Sequence, residues 1–210
     1  GVNSGVVIHE NSVIAVHGKE NIDSSTIGRM VAIQKPKKLP SLNEEILILG
    51  KEDEVWRNNS MEAFTSTPVY KDDRVYTTIK RGELICLDAG TGEEIWTLKL
   101  APDQVHASPV WADGKLFVPM FDGQVSVVKD TGQEGVVISQ VQLDGSCLAA
   151  PAVAHGRVFV QSKKRLYCFG SNKVAPAFIS HQSEKELSSQ KAVSLQVIPA
   201  EFALKSGDSL

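Results

Sequence analysis

The densest group of side chains able to do chemistry is His17-Gly18-Lys19-Glu20-Asn21-Ile22-Asp23-Ser24-Ser25. His17, Glu20 and Asp23 offer nitrogen and oxygen donors for a cation or a polar ligand, with the Lys19 ammonium beside them. Hard-cation loops carry more acids at more regular spacing. The other reading is a long hairpin whose polar side chains cap its own backbone. His106 is the second candidate, as a base or as a hydrogen-bonded structural histidine, because it precedes the small residues Ala107-Ser108. Cys86, Cys147 and Cys168 show no CxxC and no Cys/His metal spacing. They read as free thiols packed between sheets, and no metal is expected. Lys35-Pro36-Lys37-Lys38 and Lys163-Lys164-Arg165 read as solvated basic turns.

The elements that hold these residues repeat. Thr67-Pro68-Val69-Tyr70-Lys71-Asp72-Asp73-Arg74-Val75-Tyr76 aligns with the stretch from Ser108 to Phe117 and with that from Ala150 to Phe159. The prolines at 68, 109 and 151 set a period of 41 to 42 residues. One unit reads as four short strands: 67–71, 74–79, 83–88 and 93–100, joined by Asp-Asp, Lys-Arg-Gly and Gly-Thr-Gly turns. Such a meander cannot bury both faces alone. Stacking it against like neighbours around an axis, as in a β-propeller of four-stranded antiparallel blades, solves that.

About four blades are visible, over 1–170. The first is distorted: Val6 to Pro68 spans 62 residues, with the excess at 17–27 and 34–52. These two segments are expected to stand outside the blade pattern. The last blade lacks a Trp-bearing fourth strand. Residues 171–191 are polar and read as a linker, and 192–210 alternates again, as a C-terminal strand or the start of a further β-domain. The chain is expected to be a fragment of a larger propeller, an open arc that tends to self-associate through its end blades.

The composition, 42% hydrophobic and 22% charged, is that of an ordinary folded domain. A net charge of −3 gives no footprint for nucleic acid. No apolar run approaches the ~20 residues of a membrane span.

Leu87-Asp88-Ala89-Gly90-Thr91-Gly92-Glu93-Glu94-Ile95-Trp96 resembles the tryptophan docking motif of PQQ-like (quinoprotein-type) β-propellers. Residues 107–118 and 149–170 are similar to the same repeats, which occur in quinoprotein dehydrogenases and in outer-membrane assembly lipoproteins of the BamB type. The resemblance implies that Gly92, Trp96 and Trp56 dock one blade on the next. It also implies an extracytoplasmic location, in the periplasm or cell envelope. The dehydrogenases carry adjacent cysteines and a calcium site of Glu, Asn and Asp. No such set is matched here. The expectation is a non-catalytic scaffold, a binding or assembly module whose partner is a protein or the rest of its own propeller. No catalytic residue and no cofactor are assigned. The alternative is part of a quinone-dependent alcohol or sugar dehydrogenase using PQQ with calcium. Because strands alternate direction, the 17–27 insertion shares a face with the inter-blade loops 57–66, 101–107 and 144–149, where ligand contacts are expected.

Overall fold

Turn chemistry sets the strand breaks. Asp72 and Asp73 both take the left-handed backbone region, at φ 49° and 57°, and reverse the chain within two residues. Asp113-Gly114 and His155-Gly156 do the same one and two repeats later. In the computed structural model, which describes residues 4–36, 48–104 and 106–170, the runs between such turns are strands. The first sheet holds β1 (Val7–His9), β2 (Ser12–Glu20), β3 (Ile27–Gln34) and β4 (Glu54–Asn59). The second holds β5 (Val69–Lys71), β6 (Arg74–Ile79), β7 (Glu83–Asp88) and β8 (Glu94–Lys99). The third holds β9 (Val110–Ala112), β10 (Lys115–Pro119), β11 (Gln124–Asp130) and β12 (Gly135–Gln142). The fourth holds β13 (Ala152–Ala154), β14 (Arg157–Gln161) and β15 (Leu166–Gly170).

Each sheet is an antiparallel meander in chain order, so each is one blade of an all-β propeller. β1 touches β5 and β5 touches β9, which brings the first strands of successive blades together. Their small residues hydrogen-bond across: Gly5 N–H donates to Thr67 Oγ1 at 3.0 Å, and Thr67 N–H to Ser108 Oγ at 2.9 Å. The second of these bonds joins repeat equivalents 41 residues apart.

One expectation about the insertions changes. His17 to Glu20 is not a loop but the end of β2, paired through a register shift with β3, so only 21–26 turns. Of the 34–52 insertion, 37–47 lies outside the described residues. What is described ends in a single 3-10 turn, Lys51–Asp53, that leads into β4. The linker expected at 171–191 and the strand or further domain expected at 192–210 also lie outside the described residues. Among the cysteines, Cys86 and Cys147 are buried, but Cys168 is exposed. It lies on β15, the last described strand of its sheet, where no described fourth strand flanks it.

Blade docking follows from matched side-chain rows. In blade two, Val69, Tyr76, Cys86 and Trp96 lie opposite one another across the four strands. In blade one the row is Val7, Ile14, Ala32 and Trp56. A β-bulge follows the third member of each row. The Trp56 ring lies flat enough on Gly92 that a Cβ there would sit 2.3 Å from Cε3, and its Nε1–H donates to the Ala89 carbonyl at 2.9 Å. Trp96 covers Gly135 of blade three in the same way. Gly92 and Gly135 are therefore needed for close approach, and Gly92 also for its φ of +72°.

Trp96 Nε1–H donates to Asp130 Oδ1 at 3.1 Å, which also accepts from Gly132 N–H at 2.7 Å. Asp130 Oδ2 accepts from Arg74 Nη1 and from Tyr76 O–H, both at 2.7 Å. The Asp130 side chain is 7% exposed. Burial pushes its carboxyl up, but the Tyr76, Gly132 and Trp96 donors and the Arg74 charge outweigh that and hold it below the usual range. Burial, with the Asp130 charge, pushes the neighbouring Cys86 thiol up to about 12, so it stays protonated.

Trp96→Ala opens the interface and is expected to cost ~3–5 kcal/mol in chemical denaturation. Asp130→Asn leaves Arg74 without its anion and is expected to cost about 3 kcal/mol at neutral pH. Because the folded state holds Asp130 ionised to lower pH than the unfolded chain does, its contribution is complete above pH ~4 and fades as the pH falls through the lower folded value. Denaturation curves of the wild type and of Asp130→Asn from pH 6 to pH 2 should therefore converge on acidification.

Candidate functional site

The turns between second and third strands share one face with the loops that pass from blade to blade. Lys80 N–H donates to the Glu62 carbonyl at 2.8 Å, Gln104 N–H to the Lys80 carbonyl at 2.9 Å, and Lys163 N–H to the Ser146 carbonyl at 2.8 Å. Gly82 shows how tight the junction is. At its φ of +71°, any Cβ would fall 2.0 Å from the Ala101 carbonyl oxygen, while the Gly82 carbonyl accepts from Leu100 N–H.

The turn at 21–26 caps itself. Asn21 Nδ2 donates to the Thr26 carbonyl at 2.7 Å and to the Gly28 carbonyl at 3.1 Å, and Thr26 N–H donates to Ser24 Oγ. Asp23 is taken by two guanidiniums, those of Arg29 and Arg57. Their hydrogen bonds hold its carboxyl well below the usual range. Arg57 also forks onto Glu54, with Nε 2.7 Å from Oε2. Arg29 Nε donates to Asn59 Oδ1 at 3.0 Å. This network ties the hairpin tip to β4.

The sequence candidates therefore do not converge. Glu20 is exposed at the end of β2. His17 accepts from Lys19 N–H at Nδ1, 3.3 Å away. Burial and the Arg29 charge push its imidazole down, against an opposing hydrogen bond with Asn21. Lys19 Nζ turns away to lie 5.7 Å over the Phe64 ring. His106 Nδ1 is 2.9 Å from Thr65 Oγ1, on the same face. Among the described residues, no three His, Cys, Asp or Glu side chains gather as a metal site requires.

What the face does gather is cations on aromatic rings. Phe64 lies under Lys19 and under Lys80 Nζ, at 5.5 Å, which also pairs with Glu62 at 2.9 Å. Lys163 Nζ lies 6.0 Å from the Phe121 centroid. Such contacts are worth ~0.5–1 kcal/mol at exposed sites. They hold rings and ammonium groups at the surface in fixed relation. Phe64, Phe121, Arg29 and Arg57 were not among the sequence candidates. The one signal for Phe64 is its place three residues before Thr67, in the loop that feeds the innermost strand.

Residues 42–135 match the family described as outer membrane protein assembly factor BamB. Over that stretch the repeats are similar to PQQ-like β-propeller repeats. The fold is similar to BamB from Moraxella catarrhalis, at 13% identity and a TM-score of 0.61, over 80% of this chain and 50% of that one. The chain thus spans about half the length of that protein. It is also similar to the computationally designed Ika4 protein, at 13% identity and a TM-score of 0.59, over 81% of this chain and 91% of that one. No curated protein matches. No helix among the described residues is long and apolar enough to cross a membrane.

His17 is expected to titrate below 6.5, followed by its ring-proton shifts. Arg29→Gln should return only part of that shift, because burial is the larger cause. The folded state binds this proton less well than the unfolded chain, so stability should fall as the pH drops through 6.5 toward the folded value.

Proposed function

We propose that this chain is a non-catalytic propeller scaffold, a binding or assembly module of a larger extracytoplasmic protein that acts in the cell envelope by contacting another protein. The observation that carries this reading is the charge arrangement of the loop face. Several of its acids are held by bases of the same face, Asp23 by Arg29 and Arg57, Glu62 by Lys80 and Asp144 by Lys164. Paired charges around presented rings suit a protein surface, where aromatic and cationic anchors dominate. The match to an outer membrane assembly factor supports the same class of role.

The quinone-dependent alternative requires a cation that polarises a carbonyl and a base beside the substrate hydroxyl. The donors do not fit that need. A cation at His17, Glu20 and Asp23 would have to displace two guanidiniums from Asp23, and His106 Nδ1 is engaged with Thr65 Oγ1.

Two measurements test the proposal. Calorimetric titration with calcium and PQQ should give no stoichiometric heat, and tight uptake with dye reduction on adding an alcohol would overturn it. A photo-crosslinking residue in place of Phe64 should capture a protein of the cell envelope in the source organism. The same residue in place of Asp113, on the opposite face, should not. Equal capture at both positions would count against a face-specific module.

A further inference from the structure

The third blade breaks the docking pattern at one position. Its row runs Val110, Phe117, Val127 and Ser139 across the four strands. The β-bulge again follows the third member, between Val127 and Val128. Ser139 thus holds the register that Trp56 and Trp96 hold in blades one and two. A hydroxymethyl group stands where an indole fills each preceding interface.

A cleft of about 310 Å³ results between blades three and four. Val125, Val127, Ser139 and Val141 line it from blade three, and Val160 and Phe169 from blade four. Among the described residues, Ser139 is the one polar side chain on its walls, and no charged group lines it. An engineered apolar cavity of ~150 Å³ is enough to hold benzene, so this space takes a bicyclic ring. Its floor is continuous with the buried interface, since Val125 and Val160 belong to the same apolar cluster as Leu143 and Cys147. Its mouth is open: Ser139 is exposed and Val141 is 39% exposed, on the outermost strand of the blade. Among the described residues, none has to move for a group to enter from solvent.

We propose that this cleft binds an indole-sized aromatic side chain presented by a partner polypeptide, in the place that the chain's own tryptophan takes in the two preceding interfaces. The class follows from the walls. They offer apolar surface and no counter-charge, which selects against charged groups, and their span suits a flat ring better than an aliphatic chain. The partner as source rests on the scaffold reading above; the cleft's preference for an aromatic ring does not.

The test is a titration of the full chain with N-acetyl-tryptophanamide, read by methyl shifts of Val125, Val127, Val141 and Val160. These should move together and saturate, while N-acetyl-leucinamide should move them at least tenfold less at equal concentration. Ser139→Trp should abolish the response and raise the melting temperature, because it restores the missing indole. If that variant does not fold, Val141→Phe narrows the mouth and should abolish the response alone. Unmoved methyls in the wild type overturn the proposal, as does a response that persists in the folded blocking variant. A response to free indole but not to the capped amino acid overturns the polypeptide source. A face-specific crosslink at Phe64 without methyl shifts would leave the scaffold reading standing and remove this one.

Discussion

Asp130 is a buried ionised carboxylate at a largely apolar interface, and the docking of blade two on blade three depends on it. A buried charge is costly unless its hydrogen-bonding positions are filled. Here they are filled from two blades: Arg74, Tyr76 and Trp96 on one side and the Gly132 amide on the other. A slip of one residue along either strand would leave the anion bare. The contact therefore selects one docking register, where packing of Leu116, Val118 and Val128 against Cys86 and Leu84 alone would tolerate several. Tyr76 adds to this, since its ring also packs between Trp96 and Trp111, at 5.9 and 5.5 Å.

The propeller was legible because its signals are local. The Asp-Asp and Asp-Gly turns, the strand alternation and the 41-residue period are all written in contiguous residues, and the Gly-to-Trp spacing adds its resemblance to PQQ-like repeats. The Asp130 hub was not legible. Asp130-Thr131-Gly132 looks like the turn Asp88-Ala89-Gly90, and its donors Arg74 and Tyr76 lie 56 and 54 residues upstream. Nothing in a linear pattern separates a carboxylate that caps its own turn from one that also fastens a neighbour. Cys168 misled for a related reason: it shares its blade position with Cys86, but burial there is conferred by the next blade.

The hairpin at 17–27 was visible as unusual, and its chemistry was misjudged by proximity. His17, Glu20 and Asp23 are close in sequence, but a strand sends successive side chains to opposite faces. The partners that matter to Asp23 come from β3 and β4 instead. Arg57 lies 34 residues away, with no motif to announce it. A set of acids in a loop becomes a metal site only when no better counter-ion is in reach, and two guanidiniums are better placed.

The same repeat position thus carries two kinds of information. Where it holds Trp56 or Trp96, the ring is buried, its N–H is satisfied by the next blade, and the interface is complete within the chain. Where it holds Ser139, the register and the bulge persist but the volume is missing. Native interiors leave few voids of this size, and a single substitution with a larger residue would close it. Blades three and four instead keep their contact through the inner cluster of Val125, Leu143, Cys147 and Val160, with Ser162 Oγ donating to the Asp144 carbonyl at 2.7 Å. That inner contact relieves the outer position of its structural duty, which is the condition under which a docking site within the fold becomes free to receive something from outside it.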